Sequence, residues 1–166
     1  MIGETTQTVV LSKTAQTEID HWLSKFPEDK KQSALLAALR IVQKENKGWL
    51  SNAHLDAIAA YLEIPVIAVY EVATFYTLYH LNPVGRHKIL LCTNVSCFLC
   101  GSRDIATYLK EKLNIGFKET TEDGKFTLIE SECLGACGGA PMMMVDDHYH
   151  ENLTPAKIDA ILDALD

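Results

Sequence analysis

Nowhere does this 166-residue chain hold the eighteen or so consecutive apolar residues that a membrane helix needs, so no helical span is expected. Basic residues are also scarce. Against 22 Asp and Glu stand 15 Lys and Arg, a formal charge of −7. Nucleic acids and anionic membranes are held by a basic face, so neither is expected as a partner. Met1–Thr5 has no basic segment and no Arg-rich amphipathic pattern, so no signal or transit peptide is expected. Nucleotide cradles are missing as well: Gly135, Gly138 and Gly139 do not have the Gly-x-Gly-x-x-Gly spacing, and no Walker pattern occurs. No Ser/His/Asp set and no paired-carboxylate site stands out. Cysteine is sparse too, at five residues, but their placement is far from even.

Apolar residues make up 48% of the chain, enough for a hydrophobic core without disulfide staples. Cysteines without a secretion signal point to a reducing, cytoplasmic compartment, where thiols more often serve metals or redox chemistry. The length suits one domain or two small ones.

The first half reads as helical. Behind Ser12, a candidate N-cap, Ile19, Trp22, Leu23 and Phe26 follow helical spacing. Leu35, Ala38, Leu39 and Val42 repeat it in a second helix that stops near Gly48. Ser51 caps a third with Leu55, Ile58, Ala59 and Leu62 on one face. From Pro65 through His80 the chain is apolar nearly all round, the mark of a buried helix. That segment has one charged residue, Glu71, and no Lys or Arg, so it is not expected to read DNA. Leu81–Arg86, with Pro83 and Gly85, breaks the periodicity and divides the chain into residues 1–82 and 83–166.

Beyond that break the period changes. Lys88–Leu91 is a short apolar strand leading into Cys92, and Cys97 is expected in a loop before a helix that starts near Ser102. Phe126–Ile129 and Met142–Val145 read as strands, and Thr154 with Pro155 starts a last helix carrying Ile158, Ile161, Leu162 and Leu165. Helices followed by a small layer of strands and helices define an α+β or α/β chain.

Four of the five cysteines form two close pairs, Cys92-x4-Cys97 and Cys133-x3-Cys137, with 35 residues between them. Four thiolates brought together can hold one [2Fe–2S] cluster. The second pair lies in a glycine-rich loop, where backbone N–H groups can approach a bound ion closely. The helix start at Ser102 adds a partial positive charge suited to an anionic cluster. Spacing alone leaves other ligand sets open. Cys92, Cys97 and Cys100 with one later cysteine would fit a plant-type ferredoxin, although the glycine-rich loop then loses its purpose. Zinc also takes cysteine pairs of this kind. Cys97-Phe98-Leu99-Cys100 has the form of a redox dithiol, a reading that ignores three cysteines. None of His21, His54, His80, His87, His148 and His150 is spaced from a cysteine as a Rieske centre requires, and all six read as surface or interface residues.

The run Asp123–Thr127, five residues, then Cys133-Leu134-Gly135-Ala136-Cys137-Gly138-Gly139-Ala140-Pro141 resembles the signature of the E-subunit family of NADH-quinone oxidoreductase. Ile41–Lys44, Gly48-Trp49, Tyr70–Tyr76 and Pro83–His87 are similar to landmarks of that family in the same order. The resemblance implies an N-terminal helical bundle and a thioredoxin-like domain. It implies one [2Fe–2S] cluster held by Cys92, Cys97, Cys133 and Cys137, with Cys100 outside the ligand set. It further implies a partner flavoprotein subunit that carries FMN and the NADH site, and a neighbouring large iron–sulfur subunit. The chain would then be an electron carrier in the peripheral arm of respiratory complex I, on the cytoplasmic side of the inner membrane, without turnover of its own. The equivalent diaphorase subunit of an NAD-linked hydrogenase or formate dehydrogenase resembles the same signature.

Overall fold

The Ser12 hydroxyl accepts the Ala15 N–H at 2.9 Å and donates to Glu45 at 2.8 Å, so one side chain starts the first helix and ties it to the end of the second. The structure, a computed structural model, describes residues 9–165; the expectation for Met1–Thr5 lies outside them. The chain divides into two compact units, Met1–Pro83 and Val84–Asp166.

The first unit holds α1 (Lys13–Leu23), a 3-10 turn at Glu28–Ala34, α2 (Leu35–Glu45), α3 (Asn52–Leu62) and α4 (Val66–Phe75). Its core gathers Ile19, Leu35, Leu39, Leu55, Ile58 and Leu62, the apolar stripes of three helices. Ser51 and His54 form a capping box at the start of α3, and left-handed Glu63 ends that helix. Gln43 secures the segment after α4: its amide donates to the Leu78 carbonyl at 3.0 Å and accepts the His80 N–H at 2.8 Å.

Two expectations need correction here. Trp22 is 40% exposed, with the Lys25 ammonium 3.9 Å above its ring, because α1 ends at Leu23 and the inward stripe closes at Ile19 and Leu23. The fourth helix is shorter than expected and is not buried all round. It ends at Phe75, and only Val69 and Ala73 are buried on it, while Ile67 and Phe75 are 65% and 77% exposed. A helix lying on one side of a small bundle has a single inward stripe, whatever its composition.

The second unit is a five-stranded mixed sheet in the order β2-β3-β1-β4-β5 with three helices. Its strands are β1 (His87–Cys92), β2 (Glu119–Thr120), β3 (Phe126–Ser131), β4 (Met143–Val145) and β5 (His148–His150). Its helices are α5 (Val95–Leu99), α6 (Ser102–Leu113) and α7 (Pro155–Asp163). β1 and β3 pair in parallel with Cys92 opposite Ser131, so the crossover through α5 and α6 returns the chain beside its start. β4 pairs antiparallel with β1. Ile89, Leu91, Leu109, Leu128, Met143 and Ile158 are buried in the core of this unit. Asp146 fixes the β4–β5 turn to β1 by accepting the Lys88 N–H at 2.9 Å and pairing with His87 at 2.8 Å. Among the described residues, no helix is long and apolar enough to cross a membrane.

Candidate metal centre

Cys92 is the last residue of β1, and its N–H donates to the Met142 carbonyl at 3.2 Å. Cys97 is not in a loop, as expected, but inside the short helix α5. Asn94 starts that helix by accepting the Val95 N–H at 2.8 Å. Five residues carry too little periodicity to mark such a helix in the sequence. Both cysteines are buried, at 2% and 1% exposure, and pack with Met142. Leu134, Ala136 and Ala140, from the loop between β3 and β4, pack against this group. The same loop carries the second pair.

Cys133 and Cys137 are exposed, with their sulfurs 3.5 Å apart. Gly135 lies between them at φ +85, a conformation that suits glycine, and its N–H donates to the Cys133 sulfur at 3.4 Å. The Asn94 amide donates to Glu132 at 2.6 Å, linking the start of α5 to the second cysteine loop. Tyr149 on β5 donates its hydroxyl to the Leu134 carbonyl at 2.7 Å and holds the loop from the other edge of the sheet. Neither tether shows in the sequence, because each joins residues far apart along the chain. Cys137 opens the 3-10 turn Cys137–Gly139, and a Cβ on buried Gly139 would run into the Glu151 side chain.

The electrostatics tie the pairs together. Burial pushes the Cys97 thiol up to about 11; Cys92 adds to the rise by hydrogen bond and charge, and Cys137 by charge, with the Met142 backbone opposing. The Cys137 thiol is raised by its hydrogen bond with Cys133 and by that neighbour's charge, while the Ser96 hydroxyl lowers it. Thiols raised in this way hold their protons at neutral pH, and a metal ion that binds them must displace those protons. Among the described residues, no group of three or more His, Cys, Asp or Glu side chains is gathered so as to hold a metal ion. The sulfur donors stand as two pairs. Cys100 is exposed and caps the C-terminus of α5.

A small mixed sheet flanked by helices, with one cysteine pair buried at the end of β1 and in α5 and a second pair in the loop packed against it, has the fold of the thioredoxin-like [2Fe–2S] ferredoxins. The family model of that description matches residues 19–166. Among curated proteins, the NADH-quinone oxidoreductase E subunit of Rickettsia bellii (strain RML369-C) is 48% identical over 143 residues, 86% of each chain. The NADH-quinone oxidoreductase E subunit 2 of Rhizobium meliloti (strain 1021) is 47% identical over 151 residues, 91% of this chain and 88% of that one. The chain belongs to this E-subunit family of NADH-quinone oxidoreductase, whose members are parts of an oxidoreductase. A solved structure of an NAD+-reducing [NiFe]-hydrogenase in the air-oxidized state matches at a TM-score of 0.68 and 22% identity, over 81% of this chain and 23% of that one. This chain spans less than a quarter of that polypeptide, and the likeness concerns the fold.

Proposed function

We propose that the chain is the electron-carrier subunit of the NADH dehydrogenase arm of respiratory complex I. In this reading Cys92, Cys97, Cys133 and Cys137 hold one [2Fe–2S] cluster, and the chain exchanges single electrons with the FMN of a partner flavoprotein subunit. FMN and NADH belong to that partner, and the large iron–sulfur subunit of the same complex is the second neighbour. Residues 83–166 carry the cofactor, residues 1–82 form the helical domain, and the chain sits on the cytoplasmic side of the membrane through its complex. When bound, such a cluster supplies a one-electron couple.

The observation that carries this reading is the packing of the second cysteine loop, through Leu134, Ala136 and Ala140, onto buried Cys92 and Cys97. It sets the loop that carries the second pair against the first pair, and a two-iron centre takes one thiol pair at each iron. Burial of Cys92 and Cys97 excludes water from one side, while Gly135 presents an N–H to a sulfur of the exposed pair. The dithiol reading is disfavoured by Cys97 itself: it is 1% exposed and its thiol is raised, whereas reactive thiols are accessible and lowered. The hydrogenase or formate dehydrogenase alternative shares this chemistry and differs in partners.

Co-purification from the native host, followed by anaerobic addition of NADH, tests the assignment. A complex containing the flavoprotein, with NADH bleaching the visible bands of this chain, is the expected result. Co-purification with a hydrogenase or formate dehydrogenase subunit would move the chain to the alternative assembly, and an iron-free chain would overturn both.

A further inference from the structure

A cavity of about 360 Å³ lies in the second unit, and none of the five cysteines lines it. Its size falls at the small end of ligand pockets, which span roughly 300–1,000 Å³. One wall is a single face of α6: Arg103, Ala106, Thr107 and Lys110 recur at i, i+3, i+4 and i+7. Phe98 and Phe117 supply aromatic surface. The Arg103 guanidinium lies 4.5 Å from the Phe98 ring centre, and the Lys110 ammonium 4.1 Å from that of Phe117.

Three features give the cavity a sign. Arg103 and Lys110 take part in no ion pair among the described residues, although the chain as a whole carries a charge of −7. Glu130 is the one acid in the lining, and its carboxylate accepts the Thr93 hydroxyl at 3.0 Å, so two cations face one anion. The third feature is Ser102, also in the wall. It is fully buried, and its hydroxyl has no hydrogen-bond partner. A buried hydroxyl left unpaired is unfavourable unless something supplies the missing bond. Ser102 is the first residue of the 12-residue helix α6, and its N-cap, Gly101, has no side chain. With the Asp104 N–H bonded to the Gly101 carbonyl at 3.1 Å and the Asp104 carboxylate in the same turn, the Ser102 and Arg103 N–H groups are those left for a ligand.

We propose that this cavity binds a small organic anion, with its carboxylate or phosphate group at the N-terminus of α6 beside Ser102 and Arg103 and its apolar body against Phe98 and Phe117. Lys110 adds long-range attraction, and Glu130 excludes ligands with a second negative charge near β3. The site does not depend on the iron–sulfur reading, because the residues that form it are not thiols. Helix N-termini with an adjacent guanidinium suit oxyanions of either kind.

Isothermal titration of the purified chain with phenyl phosphate and, separately, with benzoate tests the site, against sodium chloride of matched ionic strength. Saturable one-to-one binding of one probe is expected, and the probe that binds identifies the oxyanion. Arg103→Gln should weaken that binding by roughly tenfold, as loss of a charge-assisted contact does. Ser102→Ala should weaken it less. Lys112→Gln, which removes an ammonium paired with Asp159 at 2.7 Å, should leave it unchanged. Arg103 is exposed, so its replacement spares the core, and an unchanged circular dichroism spectrum checks the fold. No saturable binding of either probe overturns the proposal, and so does equal weakening in the Arg103 and Lys112 variants.

Discussion

Cys100 and Cys137 are both exposed thiols, yet they stand in different surroundings. Cys137 lies 3.5 Å from Cys133 and feels the charge of Cys92, whereas Cys100 closes the short helix α5. The proposed ligand set therefore makes opposite predictions for two small substitutions. Cys137→Ala should abolish the cluster or leave it labile, and Cys100→Ala should keep it, as read by iron content and the visible spectrum. The reverse pattern would favour the plant-type set. His54 gives a second prediction at this scale. Its Nδ1 accepts the Ser51 N–H at 3.2 Å, and burial lowers its pKa below the ordinary 6.5. Folding thus favours the neutral ring: its contribution is complete above 6.5 and is lost as the pH falls through the lower folded value. In His54→Gln, glutamine can still close the capping box but does not titrate. Thermal unfolding of that variant should show a shallower loss of Tm on acidification than the parent; an unchanged slope would remove His54 from the account.

Among the elements, α4 shows the limit of composition as a guide to burial. Ile67 is 65% exposed and Leu55 on α3 fully buried, so Ile67→Ala should change stability by less than about 0.5 kcal/mol and Leu55→Ala should cost about 2–5 kcal/mol. Denaturant unfolding of the two variants checks this, and similar costs would place α4 in the core after all. The helices α1, α2, α3, α6 and α7 are legible in the sequence because their signals are local: a Ser or Thr cap at three of them, and an apolar stripe at helical spacing. On α4 the stripe disappears because every face is apolar. The strands β2 and β5 escape notice because two or three residues at a sheet edge have no measurable period. At the candidate site, the two cysteine pairs are visible as spacing. The packing of the second cysteine loop against the first pair is not, since it depends on a parallel crossover between β1 and β3 and on the long-range tethers from Asn94 and Tyr149.

At the scale of the whole molecule, the two compact units have separate cores, and the cysteines all belong to the second. Removal of metal by a chelator should therefore loosen Val84–Asp166 while the helices of the first unit persist. Amide hydrogen exchange would show this as lost protection in β1, α5 and the loop between β3 and β4, with α2 and α3 unchanged. Equal loss in both units would mean that their folding is not separable. The central claim, that the two thiol pairs together hold a [2Fe–2S] cluster, is tested most directly by the anaerobic visible absorption spectrum of the chain, reconstituted with iron and sulfide, before and after dithionite. The account predicts a brown protein whose bands bleach on reduction. A colourless, iron-free protein that dithionite leaves unchanged would contradict it.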